Sequence, residues 1–417
     1  MSDNLPTEIA KNGVVGNAQD ASAEAARTVL RDWREGRPPD QIKDMASRLA
    51  RETMKRILAL ADIEINRERS WDIRVHDEGF YNRVLSQGSM GLGESYMDGW
   101  WESPQLDEFF HRVLKADLAT KVRSDWKTLL RVLKDVIVNP QRRSKAFVIG
   151  EHHYDVGNDL FQAMLDRRMV YTCAYWKSAR TIDEAQEAKL DLVCRKLRLQ
   201  PGQKVLDIGC GWGSFLKFAA EQYGVTGVGI TVSKEQVKLG RQLCEGLPIR
   251  IELQDYREIE GMYDHIVSLG MFEHVGYKNY RTFIQIVSKH LADDGFFLLD
   301  SIGGEKSARH TDPWVEKYIF PNSMTPSIKQ IGTAIEGLFV MEDWHNFGAD
   351  YDKTLMAWFR NLDQHWQSLQ TRYDERFYCM WKYYLLACAG LFRARRSQSW
   401  QIVLSKKGVE GGYVSVR

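Results

Sequence analysis

The sequence predicts an α/β protein: a doubly wound, mostly parallel sheet over residues 151–417, preceded by a smaller, mainly helical domain over 41–140. Three observations predict it. Short β-rich runs alternate with helical periods beyond about Val148. A glycine-rich turn closes the first well-formed run, and upstream the apolar residues recur at spacings of three and four. At 417 residues the chain suits two or three domains. Hydrophobic residues at 44% and charged residues at 27% exclude a disordered or fibrous chain. A net charge of +1 gives no global field toward nucleic acid, so no nucleic-acid partner is expected. The six cysteines are scattered without a CxxC pair, which argues against a disulfide scaffold or a metal site.

In chain order, residues 1–40 are rich in Ala, Asn, Asp and Gly and read as a leader, with one helix around Ala21–Glu35. From Gln41, MASRLARETMKRILALADI has a helical period. FYNRVLSQGSMGLGESYMDGWW follows, where glycines at 88, 91, 93 and 99 are expected to break any long helix. LDEFFHRVLKADLATKVRSDWKTLLRVLKDVIV is helical again, and Asn139-Pro140 opens a linker to about 150. The strands are expected in KVLDIGC, VTGVGITVS, IRIELQD, DHIVSLG and GFFLLDSIG, with FVMEDWHNFG and SWQIVLSK as two late additions. FLKFAAEQYG and KEQVKLGRQLCEGL supply helices between them. No apolar run reaches the length of a membrane span, and MSDNLPTEIAKNGVVGNAQD lacks the basic and apolar regions of a signal peptide. A cytoplasmic protein with at most peripheral membrane contact is the expectation.

The turn Asp207-Ile208-Gly209-Cys210-Gly211-Trp212-Gly213 carries the first chemical signal. Glycines there let a ligand approach the backbone at the carboxyl end of a strand. The spacing is G-x-G-x-G rather than G-x-G-x-x-G, and a carboxylate stands two residues before it. An anion there repels a phosphate and suits a ligand bearing an ammonium and a sulfonium. That favours S-adenosylmethionine over a nicotinamide dinucleotide, and makes the domain a Rossmann-like S-adenosylmethionine-dependent methyltransferase. Thr231 and Gln236, after the second strand, offer polar groups to a ribose, although Ser233 can simply cap the next helix. Asp255, after the third strand, is a candidate for the adenine amino group.

EHHYDVGNDLFQAMLDRRMVYTCAYW, LDIGCGWGS, GITVSKEQ, MFEHVGYKNY and YYLLACAG together resemble the cyclopropane-fatty-acyl-phospholipid synthases, of the mycolic acid cyclopropane synthase-like methyltransferases. LGESYMDGWW, DPWVEKYIFPN, MEDWHNFGADYDKTLMAW and FRARR extend the resemblance from about Ile57 to the end. It implies methyl transfer from S-adenosylmethionine to a cis double bond in a phospholipid acyl chain, then proton loss as a cyclopropane ring closes. It implies cofactor contacts at Tyr171, Thr172, Asp207, Gly209, Gly211, Gly213, Thr231, Gln236, Asp255 and Tyr256. It also implies a bicarbonate ion as base, held by backbone groups of Cys173 and Ile302, by Glu273 and by the Tyr351 phenol. The fifth position is Asp300, where the family has His. On local evidence alone Glu273 also reads as a helix-initial surface acid and His274 as a core histidine. Placement after the fourth strand, on the ligand side of the sheet, favours the functional reading. Cys388 is a further candidate, with no basic partner in its segment to make it a thiolate. Aromatic faces suit a cationic transition state. Trp314, Tyr318, Phe320, Trp344, Phe347, Tyr351, Trp358 and Phe359 are available, most of them expected in packing.

Between Lys115 and Lys145, nine Lys or Arg face three Asp (117, 125 and 135). With interleaved Leu and Val this segment suits an anionic membrane surface carrying the phospholipid substrate, although a solvated helix face reads the same way. A homodimer is compatible with the sequence. Two other functions remain open at this point: a related methyltransferase acting on a small amine or making a methyl-branched chain, and a noncatalytic lipid-binding paralogue in which Asp300 marks decay.

Overall fold

The computed structural model describes residues 38–118 and 156–417, with 28, 31, 32 and 35 as isolated positions before them. The leader helix, the linker and the basic segment from 119 onward lie outside the described residues. The chain divides into two units, 1–155 with 375–383, and 156–374 with 384–417. The sequence division at 150/151 had put residues 375–383 in the second.

In the first unit, α1 (Pro39–Ala59) begins on a proline, whose missing N–H costs nothing at that position. Strand β1 (Arg74–Val75) precedes α2 (Gly79–Gln87) and α3 (Ser89–Met97), pairs antiparallel with β2 (Trp101–Glu102), and α4 (Leu106–Lys115) follows. The glycine-rich segment therefore forms two helices, and only Gly88, at φ +61°, separates them. Gly91 lies inside α3, where a Cβ would collide with the Arg83 carbonyl, so it permits close packing of α3 on α2 rather than a break. Trp101 centres this unit, its ring 5.2–5.7 Å from those of Phe80, Tyr96 and Phe109.

The second unit opens with α5 (Asn158–Met164) and α6 (Ile182–Leu197), the latter started by a Thr181/Glu184 capping box. Then come β3 (Lys204–Ile208), α7 (Ser214–Tyr223), β4 (Thr226–Thr231), α8 (Lys234–Leu243), β5 (Ile249–Leu253), β6 (His265–Leu269), α9 (Tyr280–His290) and β7 (Phe296–Gly304). The chain ends through α10 (Pro313–Tyr318), α11 (Ile328–Ile335), β8 (Val340–Asn346), α12 (Ala349–Leu369), α13 (Glu375–Arg393) and β9 (Ser397–Ser405).

Seven strands form one sheet in the order β5-β4-β3-β6-β7-β9-β8. The pairs from β5 to β7 are parallel, and β9 runs antiparallel to both of its neighbours. Both late segments are thus strands. β3 and β6 are buried almost throughout because apolar cores cover the sheet on both faces. One core includes Phe283, Ile284 and Val287 of α9, the other Leu190, Val193 and Leu197 of α6. After β3 the chain winds outward to β5 and then returns to β6. That reversal opens a crevice at the carboxyl ends of the central strands. Among the described residues no helix is long and apolar enough to cross a membrane.

Candidate active site

A cavity of about 840 Å³ occupies that crevice. It is lined by Asp207, Gly209 and Gly211 after β3, Thr231 and Gln236 after β4, and Asp255 and Tyr256 after β5. Glu273 after β6, Asp300 and Ile302 of β7, Tyr351 of α12 and Cys388 of α13 complete it, with Tyr171, Thr172 and Cys173 from the segment before α6. Of the residues expected at the cofactor, Gly213 alone does not line it. A Cβ there would sit 2.9 Å from Ile251 Cδ1 and 3.0 Å from Cys244 Sγ, so Gly213 serves the packing of the turn.

The turn is built from left-handed glycines, Gly209 at φ +82° and Gly211 at φ +57°. Their surroundings differ. A Cβ on Gly209 would lie 2.6 Å from Met271, whereas one on Gly211 meets nothing within 4 Å. Asp207 is buried, and its Oδ1 has no hydrogen-bond partner. Burial raises its pKa to about 7, against the pull of Lys189. An unpartnered buried carboxylate oxygen beside an open glycine cradle fits a cationic ligand such as S-adenosylmethionine. Thr231 Oγ1 donates to Gln236 Oε1 at 2.6 Å, and Ser233 caps α8 through the Gln236 N–H, so the capping reading holds. Asp255 accepts from the Arg257 backbone N–H at 2.9 Å and from its guanidinium at 3.0 Å. That carboxylate is engaged locally, and Arg257 also covers the Tyr256 ring at 4.5 Å.

Glu273 sits in the single helical turn Phe272–His274. It is buried rather than a surface acid, and His274 beside it is exposed rather than in the core. Glu273 Oε1 accepts from the Ile302 N–H at 2.6 Å, while Oε2 is buried without a partner. Burial raises its pKa to about 7, with Asp300 adding in the same direction and the Ile302 N–H opposing. Asp300 is buried on β7, and burial raises its pKa too, against Lys189, Gln401 and Lys196. The Tyr351 phenol is driven well above its ordinary value by burial. Burial likewise pushes the Cys173 thiol far up and the Cys388 thiol to about 12, so neither sulfur is a ready nucleophile.

Of the eight aromatics considered from the sequence, Phe320 and Tyr351 line the cavity. Trp358 backs it from the core, 5.2 Å from the Tyr171 ring. The rest of the aromatic wall comes from Phe161, Tyr171, Trp212, Phe215, Tyr256, Tyr384 and Phe392. Three polar residues escaped the sequence reading: Lys189, Lys196 and Gln401, all fully buried. Lys189 Nζ donates to Thr172 Oγ1 at 2.7 Å, and Lys196 Nζ to Gln401 Oε1 at 2.9 Å. A signal was available. Gln186, Lys189, Val193 and Lys196 follow spacings of three, four and three, which puts polar residues on the inward stripe of α6.

The family model described as mycolic acid cyclopropane synthetase matches residues 141–402. The chain is 52% identical over 356 residues to the cyclopropane-fatty-acyl-phospholipid synthase of Escherichia coli (strain K12), covering 85% of this chain and 93% of that protein. The structure of the cyclopropane synthase MmaA2 from Mycobacterium tuberculosis superposes with a TM-score of 0.58 at 32% identity, over 61% of this chain and 96% of that one. Mycolic acid cyclopropane synthase CmaA1 complexed with SAH and CTAB gives 0.57, also at 32%, with the same coverage. The chain is therefore a member of the mycolic acid cyclopropane synthetase family of S-adenosylmethionine-dependent methyltransferases.

Proposed function

We propose that this enzyme converts cis double bonds in the acyl chains of membrane phospholipids into cyclopropane rings. The observation that carries the reading is the buried, unpartnered Oε2 of Glu273 on the wall of an aromatic cavity that it shares with Asp207. S-adenosylmethionine would supply the electrophilic methyl group. Asp207 would take its positive end and Gly211 would leave room for it. Thr231 and Gln236 would meet the ribose, Tyr256 the base, and Tyr171 and Thr172 would close the near side.

An alkene is a weak nucleophile, so the chain must be held dry and aligned against the methyl donor. Phe320, Tyr171, Tyr384 and Phe392 supply that wall, and their ring faces favour positive charge developing on the acyl chain. Ring closure needs a base. A bicarbonate ion in this position would give its hydroxyl hydrogen to Glu273 Oε2 and accept from the Tyr351 phenol. Backbone groups of Cys173 and Ile302 would hold it further, although the Ile302 N–H already serves Glu273. Asp300, its pKa raised, would act as a protonated donor in place of the family's His.

The enzyme must reach a bilayer, and the basic segment between Lys115 and Lys145 supports peripheral contact with an anionic surface. The direct test is incubation with S-adenosylmethionine and vesicles of unsaturated phospholipid. A mass gain of one CH2 per modified chain, with loss of the alkene signal, is expected. An unchanged acyl pool, or methylation of an amine instead, would overturn the reading.

A further inference from the structure

We propose that a groove lined by Lys278, Arg309 and His310 is a phosphate subsite, which holds the headgroup phosphodiester of the phospholipid whose acyl chain enters the catalytic cavity. The proposal rests on the phospholipid reading above. The groove encloses about 230 Å³. Lys278 and Arg309 both follow the catalytic turn and are 31 residues apart in sequence, yet both approach the exposed ring of Tyr277, with Nζ at 6.0 Å and Cζ at 5.9 Å from its centroid. Among the described residues neither cation has an ion-pair partner. Asn279 and Asn322 add amide groups, and Glu316 is the one carboxylate among the lining residues. The local excess is cationic in a protein whose net charge is only +1.

Position separates this cluster from an ordinary solvated patch. His310, Ser323 and Met324 line both the groove and the catalytic cavity, so the two spaces adjoin. The Met324 N–H donates to the Glu273 carbonyl at 2.9 Å, which ties the groove's floor to the turn that carries the proposed catalytic carboxylate. An aromatic-walled cavity beside an exposed cationic groove matches a molecule with an acyl chain on one side and a phosphodiester on the other. Guanidinium and ammonium groups form charge-assisted hydrogen bonds to phosphate oxygens. Burying an acyl chain orients nothing along its own length. A fixed phosphate would set how deep the chain enters and so which carbons reach the methyl donor.

The test compares two substrates with the same oleoyl chains in neutral detergent micelles: dioleoylphosphatidylglycerol, and dioleoylglycerol, which lacks the phosphate. For the variant Lys278→Gln/Arg309→Gln, KM for the phospholipid is expected to rise about tenfold, the scale of one or two lost charge-assisted bonds. Turnover of dioleoylglycerol and the affinity for S-adenosylmethionine should stay unchanged, which also reports that the variant is folded. Inorganic phosphate should inhibit the wild type competitively against the phospholipid alone. Equal losses on both substrates, or an unchanged KM for the phospholipid, would overturn the subsite. A wild-type enzyme that converts neither substrate would instead sink the phospholipid reading beneath it.

Discussion

Asp300 of β7 and Gln401 of β9 are direct partners in the antiparallel register, and the Gln401 amide donates to Asp300 Oδ2 at 3.0 Å. The same glutamine faces His345 of β8, and its oxygen accepts from Lys196, whose Nζ also lies 3.1 Å from His345 Nδ1. Lys196 therefore fixes which end of the Gln401 amide points at Asp300. With Oδ2 already accepting, a proton on Asp300 belongs on Oδ1. Asp300, where the family resemblance implies a His, is thus embedded in a polar row across three strands, its side chain oriented from behind.

The first prediction follows from this row. Asp300→Asn should keep appreciable activity, because an amide still donates, and Asp300→His should be tolerated. Gln401→Met should lower activity about tenfold through lost orientation of Asp300, yet cost little more in the Asp300→Ala background, where no donor is left to orient. Equal costs in both backgrounds would make Gln401 merely structural. A dead Asp300→Asn enzyme, together with wild-type turnover in bicarbonate-depleted buffer, would make Asp300 the base.

Glu273 sets a second expectation, for pH. Its carboxyl is raised from 4.5 to about 7 and must be ionised to accept a proton, so kcat should rise with pH through that value. Asp300 acts in the opposite sense, since it donates only while protonated, so its deprotonation with rising pH lowers activity. Glu273→Gln should reduce kcat by about 10²–10⁴, the usual share of a general base, with affinity for S-adenosylmethionine retained. Full activity in that variant would remove Glu273 from the mechanism.

Stability should move the other way with pH. Folded-state values near 7 for both Asp207 and Glu273 exceed their ordinary values of 3.8 and 4.5, so the folded protein holds protons that the unfolded chain releases. That contribution is complete below about pH 4 and lost as pH rises through 7. Other groups dominate the acid end, so the useful window is pH 5.5–8, where thermal melts of the ligand-free protein should show a declining Tm by roughly this mechanism. In Asp207→Asn the decline should be shallower; an unchanged slope would count against the buried carboxylate as its source.

Asp207 and Gly211 can be tested by binding alone. A cation docking near Asp207 stabilises its ionised form, so S-adenosylmethionine binding near neutral pH should release a fraction of a proton. Calorimetry in buffers of different ionisation enthalpy reads it directly, and Asp207→Asn should abolish it. Gly211→Ala places a methyl where no protein atom lies within 4 Å, at a φ of +57°. Its folding cost should be about 1–2 kcal/mol, while the ligand affinity falls far more. Gly209→Ala should chiefly destabilise the protein, since its Cβ runs into Met271. Unchanged affinity in a folded Gly211→Ala protein would refute the cradle.

Cys388→Ser should retain most activity. The thiol lines the cavity, but burial lifts its pKa to about 12, which leaves almost no thiolate at neutral pH. Loss of turnover in a variant that still binds S-adenosylmethionine would revive a covalent role for this sulfur.

What the sequence determined by itself is the second unit's layout and the class of its cofactor. The alternation of short buried β-rich runs with 3.6-period helical stretches in residues 204–303 is dictated by a sheet covered on both faces, and the Asp207–Gly211 turn needs glycines at left-handed φ whatever surrounds it. Those signals are local, so they survive in one dimension. The tertiary structure alone decided which side chains meet. Gly91 looked like a helix breaker until its contact with the Arg83 carbonyl made it a packing residue, and Gly213 looked like a cofactor contact until Ile251 and Cys244 closed around it. Glu273 could be read as a surface acid because nothing in MFEHVG specifies that Ile302, 29 residues away, will donate to it. Lys196 and Gln401 are 205 residues apart, and only the antiparallel return of β9 beside β7 brings their hydrogen bond to Asp300. Burial, register and pKa belong to the assembled sheet, because each depends on neighbours that the chain order does not specify.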